Sequence, residues 1–320
     1  MIRRSTLLVA LIAVLLLMCC RGSADGPPFG RVSFSPDGKL VVFPHQERGG
    51  CFLYIGDLGT QVARRLTKSQ SGCENDPDFS SDGKLIVYAY APGSDRKSSL
   101  FVVNADGSSV QQITKTGTDD VFPVFSRDNK LVYFARSGRF GHSSPIAASR
   151  QHDFDLFSVS LGSGAVTQLT QQSLYDLLSV SMSPEGKDLL ITTYRYPIGA
   201  LFEIYAIDKP QSARLVFQPH VPDEPKLVPP AFADACYLPD KVNALIIAAS
   251  SKDHSYDYNV YLMSVVTGSF QQLTNLTGLT PFVQASPDGK AAIIENQDKL
   301  YLLDLQSHGL RPLVWKGLGT

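Results

Sequence analysis

The sequence predicts an all-β protein, a six-bladed β-propeller built from four-stranded antiparallel blades. Three observations support this fold class: a turn motif that recurs six times, a Leu-Thr motif that alternates with it, and β-rich runs between the two. Helical periodicity is absent after the N-terminal segment. The spacing between successive copies of a motif is the length of a four-stranded propeller blade.

The turn motif is first seen as FSPDGK, which begins at Phe34. Proline presets φ for the first turn position, aspartate can bond its own backbone, and glycine accepts a positive φ. The acidic residues of the six copies are Asp37, Asp82, Asp128, Glu185, Asp240 and Asp288. They recur every 45 to 57 residues, and no single active site could use all six. The motif therefore predicts hairpin turns, not catalysis.

The second motif closes the fourth strand of each predicted blade. Its apolar residues are Leu66, Ile113, Leu169, Leu215, Leu273 and Leu313. The runs between the two motifs are rich in β-branched and aromatic residues and alternate as half-buried strands do. Blade six can supply all its own strands from Pro281 to Val314. We therefore expect the first and last blades to meet by side-chain packing.

The first 24 residues read as a secretory signal peptide, so the propeller should occupy residues 25–320. Arg3 and Arg4 precede an unbroken apolar run, Leu7–Met18, and small residues lead to a cleavage site after Ala24. This predicts a periplasmic or extracellular protein. The alternative is a lipid anchor on Cys19 or Cys20. The residue before a lipidated cysteine is normally Gly, Ala or Ser, whereas here it is Met18 or Cys19.

Charge and cysteine content agree with export. Removal of the signal peptide takes away three arginines and no acids, leaving a net charge of −4, which argues against a nucleic-acid partner. We predict no transmembrane segment in the mature chain. Cys51 and Cys73 could form a disulfide that closes a loop of about 23 residues, worth about 3 kcal/mol. Cys236 would be a buried thiol; three reduced thiols are the alternative.

These repeats resemble the TolB-like six-bladed propellers, which are built from SPDG and LT repeats. The resemblance covers residues 30–315. It implies the fold more specifically than the function, because related propellers serve as binding modules, as gating domains of peptidases and as polysaccharide lyases. The blades begin soon after the predicted cleavage site, so we expect an isolated propeller without the N-terminal domain of TolB.

Two insertions interrupt the repeat, and function in a repeat protein usually lies at such places. One separates the second and third strands of blade three, at Arg136–Asp153; the other joins blades four and five, at Gln218–Phe232. Both should open on the same face. The first insertion holds the candidate binding residues Arg136, Arg139, His142, Arg150 and His152. They could bind an anionic group or a partner; alternatively, the arginines pair with acids of adjacent loops.

Four acids near the blade entrances are candidates for a channel cation such as calcium: Asp76, Asp119, Asp120 and Asp176. Carboxylates are ligands that Ca²⁺ prefers. The alternative is that these side chains accept hydrogen bonds from backbone N–H groups at the blade entrances.

Signals for an enzyme are poor, since no nucleophile elbow, zinc motif or Cys-His cluster is present. His142, His152, Asp153 and Asp155 could form a local metal or acid-base group, as could His254 with Asp253 and Asp257. We predict an exported, monomeric, non-catalytic module without a cofactor, which binds a protein or peptide of the bacterial envelope. The alternative is a lyase or hydrolase acting on an anionic carbohydrate.

Overall fold

The computed structural model describes residues 30–93, 97–115, 117–141, 150–195, 199–217, 232–250 and 257–319. Across these ranges every regular element is a β-strand, and the strands form six groups of four. The predicted signal peptide lies outside the described residues, as do residues 142–149 and 218–231 of the two insertions. No helix in the described ranges is long and apolar enough to cross a membrane.

The strands have the following bounds. Group one contains β1 (Ser33–Phe34), β2 (Leu40–Glu47), β3 (Gly50–Asp57) and β4 (Val62–Arg65). Group two contains β5 (Gly72–Phe79), β6 (Leu85–Ala91), β7 (Ser99–Asn104) and β8 (Gln111–Gln112). Group three contains β9 (Asp119–Phe125), β10 (Leu131–Gly141), β11 (Arg150–Ser160) and β12 (Val166–Gln168). Group four contains β13 (Asp176–Met182), β14 (Asp188–Arg195), β15 (Gly199–Ala206) and β16 (Leu215–Phe217). Group five contains β17 (Phe232–Tyr237), β18 (Asn243–Ser250), β19 (Asp257–Ser264) and β20 (Phe270–Gln272). Group six contains β21 (Val283–Ala285), β22 (Ala291–Asn296), β23 (Lys299–Asp304) and β24 (Leu310–Pro312).

Consecutive strands of a group pair antiparallel, and groups three to six are separate four-stranded sheets. The connections from first to second strand and from third to fourth strand therefore lie at one end of each sheet, called the turn end here. The connections from second to third strand and from one group to the next lie at the other end, called the loop end.

The recurring motif forms the tight turn that its residues predict. Ser35 Oγ donates to Asp37 Oδ1 at 2.7 Å and accepts from the N–H of Leu40 at 2.9 Å. Gly38 follows with φ +71°, which a side chain would disfavour. The same serine–aspartate pair recurs at Ser80–Asp82, Ser126–Asp128 and Ser286–Asp288. In these turns the serine hydroxyl is the largest influence that lowers the pKa of the aspartate.

Groups one and two are joined at the loop end into one eight-stranded sheet. Gly50 pairs in parallel with Gly72, and Cys51 with Cys73. A side chain on Gly50 would collide with the Gly72 carbonyl, so this close approach needs glycine. The next residues, Cys51 and Cys73, are bonded as a disulfide with their Cα atoms 4.4 Å apart. Cys236 is a buried free thiol.

Hydrophobic clusters fill the spaces between neighbouring groups, and the last group returns to the first. The first strands contact one another in the order β1, β5, β9, β13, β17, β21 and back to β1. One cluster joins Val32, Phe34 and Phe43 of group one to Ile293 and Leu300 of group six. Groups six and one thus meet through side-chain packing, as expected from the register of the repeat.

Candidate functional site

The hairpin formed by β10 and β11 is longer than the corresponding hairpin of every other group in the described ranges. Both strands have 11 residues, whereas the others in these positions have six to eight. The inner strand β9 pairs with β10 only as far as Ser137. The hairpin continues as residues 138–141 paired with residues 150–153, which we call the arm.

The arm presents two exposed side chains at the loop end. Arg139 is exposed, and Phe140 keeps 50% of its surface accessible. An exposed aromatic ring beside an arginine on a rigid hairpin is the residue combination that anchors many protein interfaces. Arg139 was among the residues predicted from sequence. Phe140 was missed, although an aromatic residue within an insertion was the available signal.

His152 holds the arm in place rather than facing solvent. Only 4% of its surface is accessible, and its Nε2 lies 3.1 Å from the carbonyl oxygen of Gly141. Its ring lies 4.9 Å from the ring of Tyr175, which is part of the connection between groups three and four. Tyr175 in turn lies 5.8 Å from Tyr194. These contacts fix the arm against group four.

Arg136 is engaged within the protein, as the pairing alternative supposed. Its guanidinium donates to both carboxylate oxygens of Asp120 at 2.6 and 2.8 Å. Its Cζ lies 4.9 Å from the centre of the Phe157 ring and 5.3 Å from that of Phe134. Because Asp120 is fully buried, a ligand could take Arg136 only by leaving a carboxylate unpaired in the interior. His142 and the side chain of Arg150 lie outside the described residues.

The other three acids considered for a channel cation accept backbone hydrogen bonds. Asp119 accepts from the N–H of Ser98 at 3.0 Å. The N–H groups of Phe122 and Leu177 donate to Asp76 and Asp176 at 3.4 and 3.0 Å. In the described part of the chain, no three His, Cys, Asp or Glu side chains are grouped so that they could hold a metal ion.

Charged side chains outside the two recurring motifs meet between the first strands. Arg31 of group one forms an ion pair with Asp234 of group five, and its Cζ lies 5.3 Å from the centre of the Phe122 ring of group three. Asp234 also accepts the N–H of Val283 at 3.0 Å, and burial raises the pKa of this carboxyl. Three groups are thus linked through one arginine.

Asp78 is a second acid on these strands, and it is partly buried. Its carboxylate accepts the N–H of Phe125 at 2.9 Å and the hydroxyl of Ser33 at 3.3 Å. Burial raises its pKa to about 6. The two residues of the Arg31–Asp234 pair, by contrast, occupy the same place in their repeats, three positions before the start of the turn motif. The residues at this place are Arg31, Asp76, Phe122, Ser179, Asp234 and Phe282.

Asp155 and Asp257, two members of the possible acid-base groups, accept hydrogen bonds from the connections that lead to the next group of strands. Asp155 accepts the Thr170 hydroxyl at 2.7 Å and the Gln172 N–H at 2.6 Å. Asp257 accepts the N–H of Gly278 at 2.7 Å. Asp253 and His254 lie outside the described residues.

Comparison with known proteins gives one consistent fold. The profile of the TolB beta propeller domain matches residues 28–140. The crystal structure of TolB from Acinetobacter baumannii superposes with a TM-score of 0.62 at 16% identity, covering 97% of this chain and 70% of that one. In its repeats and its fold the chain is similar to the TolB-like β-propellers.

Two further comparisons show how much of the chain is similar to known proteins, and at what sequence identity. The Tol-Pal system protein TolB of Francisella tularensis subsp. mediasiatica (strain FSC147) is 28% identical over 87 residues, which is 27% of this chain. The chain matches only about a fifth of that relative, 20% of its length. A solved oligogalacturonate lyase in complex with manganese has a TM-score of 0.58 at 16% identity, covering 87% of this chain and 74% of that one. At such identities the structures share the fold alone.

Proposed function

We propose that this TolB-like propeller is an exported, non-catalytic binding module of the bacterial cell envelope. It engages a protein or peptide through its loop end, with the arm as the central contact. The observation that carries this proposal is the pair Arg139 and Phe140, held exposed on a hairpin that His152 fixes to group four. An anchor of this kind loses little side-chain entropy on binding, because its backbone is already ordered.

The proposed architecture is one domain of six blades, residues 25–320, with each group of four strands as a blade. The return contact between β21 and β1 supports closure into a ring. The signal-like N-terminus supports export to the periplasm or cell surface, and so does the disulfide, because disulfides persist in oxidising compartments. The name of the Tol-Pal system carried by the matched relatives supports an envelope partner.

The test is site-specific photo-crosslinking with the mature protein in cell-envelope extract. A photoreactive phenylalanine analogue replaces Phe140 in one sample and Val266 in another. Val266 is a matched control because it is 68% exposed and lies in the connection between β19 and β20, at the turn end. We expect discrete adducts from position 140 only, and their loss when Arg139→Ala is added.

Equal labelling from both positions, or none from position 140, would contradict the proposal. Arg64→Ala, which removes another exposed arginine on β4, should leave the position-140 adducts unchanged. A single dominant adduct identifies the partner directly by mass spectrometry.

A second candidate function is cleavage of an anionic carbohydrate, which is favoured by the likeness to the oligogalacturonate lyase. Its test is incubation of the mature protein with oligogalacturonate and Mn²⁺, followed by absorbance of the unsaturated product. We expect no product. Turnover that survives Arg139→Ala and Phe140→Ala would establish the enzyme and would separate it from the arm.

A further inference from the structure

The segment that follows β24 leaves group six and lies on group one. Residues 315–319, which we call the clasp, have the sequence Trp-Lys-Gly-Leu-Gly. Trp315 and Leu313 belong to the hydrophobic cluster that contains Phe43, Tyr54 and Ala63 of group one, and Leu318 packs against the same cluster. The clasp follows group six in the chain but contacts group one, at the junction between the last group and the first.

The clasp pairs with the outer edge of β4 through a single parallel bridge. Lys316 and Val62 form a parallel bridge. The N–H of Lys316 donates to the carbonyl of Gln61 at 2.9 Å, and the N–H of Ala63 donates to the carbonyl of Lys316 at 2.8 Å. Addition of an extended peptide to a free sheet edge is a common mode of peptide recognition.

Trp315 supplies the anchor of this contact. Its ring stacks on Phe43 with the centroids 5.2 Å apart and the planes inclined by 22°, and only 8% of the residue is accessible. The ring lies over Gly56, where a Cβ atom would come within 2.5 Å of it. Gly56 therefore leaves the space that the indole fills.

The far end of the clasp is also held by side chains of group one. The N–H of Gly319 donates to the Tyr54 hydroxyl at 2.9 Å, and the Gly319 carbonyl lies 3.2 Å from His45 Nε2. Between these contacts and the tryptophan, Gly317 has φ +86°, and a Cβ there would lie 2.5 Å from the Ala63 carbonyl oxygen. The five residues of the clasp are thus held by backbone hydrogen bonds, by the pocket that receives Trp315, and by a close approach that requires glycine at position 317.

We propose that group one carries a peptide-binding groove along β3 and β4, whose ligand is the clasp of the same chain. The groove accepts an extended peptide with a tryptophan, a strand-paired residue directly after it, and glycine two positions after the tryptophan. Its occupation latches group six to group one. This site is separate from the arm, and the inference does not depend on the proposed function.

The test uses the fact that Trp315 is the single tryptophan of the sequence. The W315A protein has no tryptophan, so a synthetic peptide of residues 313–319 is then the only tryptophan emitter in the mixture. We expect a saturable blue shift of peptide emission as the indole enters the vacated pocket. The peptide with Gly317→Ala should bind at least about tenfold more weakly, because of its backbone conformation and the Ala63 carbonyl.

A matched pair of proteins assigns the pocket. G56A/W315A should lose the shift, because the added methyl group occupies the place of the indole. G59A/W315A should keep it, since a Cβ on Gly59 would meet only the Asp57 carboxylate oxygen, at 3.3 Å. No shift with W315A, or equal shifts with both double variants and both peptides, would overturn the proposal.

Lys316→Pro tests the latch if W315A fails to fold. Proline removes the N–H that donates to Gln61, while Trp315 stays in the chain to report on itself. We expect a red shift of Trp315 emission and stronger quenching by acrylamide, with an unchanged far-ultraviolet circular dichroism spectrum. Lys316→Ala keeps the N–H and should emit like the unmodified protein. Emission of Lys316→Pro that matches the unmodified protein would contradict the latch.

Discussion

The two ends of the sheets follow different rules. At the turn end the same serine–aspartate pair closes the turns of groups one, two, three and six, with hydroxyl–carboxylate distances of 2.6 to 2.7 Å. At the loop end the groups differ: one and two share a disulfide, and three carries the arm. Repetition marks the chemistry that builds the fold, and its interruption marks where binding can evolve without cost to that fold.

The third strands show how a local exception arises at the loop end. The hydroxyls of Thr114, Thr170 and Thr274 each accept a third-strand N–H at 2.9 Å, from Leu100, Leu156 and Val260. In group one the N–H of Leu53 donates instead to Glu74 of group two at 2.8 Å. Thr67 and Ser69 also donate to this buried carboxylate. The substitution ties group one to group two beside the disulfide.

Loss of the disulfide should give the largest effect on this comparison. It joins residues 22 positions apart in two groups, and the loop-entropy relation gives about 3 kcal/mol of stabilisation. We expect the double variant Cys51→Ala/Cys73→Ala to unfold in urea with a free energy lower by about that amount. A reductant should lower the stability of the unmodified protein to the same level and leave the double variant unchanged. A double variant as stable as the unmodified protein would show that the Gly50–Gly72 pairing and the Glu74 contacts join the groups without the disulfide.

Asp78, the penultimate residue of β5, lies next to the turn end and should give a pH dependence of opposite sign to that of the turn aspartates. Its pKa is about 6 in the folded protein and 3.8 as the reference value. Below about pH 4 both states hold the proton. As the pH rises, the unfolded state ionises first, and the folded state loses stability until its own carboxyl ionises near pH 6. The shift corresponds to about 3 kcal/mol as an upper value.

The measurement is the free energy of unfolding between pH 4 and pH 7, for the unmodified protein and for Asp78→Asn. We expect the variant to lose this decline, because asparagine does not ionise. Its amide oxygen can still accept the N–H of Phe125, so the hydrogen bond is kept. Asp37→Asn is the control: the pKa of Asp37 is lowered, so its ionised form favours folding and its effect appears only as the pH falls through the acid range. A decline that persists in Asp78→Asn would assign it to another group.

The sequence predicted the repeated elements of the molecule better than the contacts between distant parts of the chain. Turn and strand positions follow from local spacing, because each turn bonds its own residues within five positions of sequence. The sequence offered the Cys51–Cys73 disulfide only beside the alternative of three reduced thiols. The Arg31–Asp234 pair joins residues 203 positions apart, and the clasp joins Gly319 to Tyr54 across 265 positions. The repeat makes the positions of Arg31 and Asp234 equivalent, but no periodic pattern encodes which side chains pair across such distances. The sequence could name Arg136 and Arg139 together, but only the fold shows that one is paired with Asp120 and the other is exposed.

The smallest expected effect lies at the turn end and tests whether the serine or the aspartate maintains the turn. Ser80 is fully buried and its hydroxyl both accepts from Leu85 and donates to Asp82. Ser80→Ala leaves the Leu85 N–H without this acceptor, which should lower the free energy of unfolding by about 1 to 2 kcal/mol. It should also raise the pKa of Asp82 toward its ordinary value, because the Ser80 hydroxyl is the largest influence lowering it.

Ser81→Ala is the matched control within the same turn, since Ser81 is exposed and bonds only to the neighbouring turn, through Arg127 and Asn129. We expect about 0.5 kcal/mol or less for it and no change at Asp82. Carboxyl titration by nuclear magnetic resonance separates the two roles: an unchanged Asp82 in Ser80→Ala would mean that the Lys84 N–H, not the serine, sets the turn.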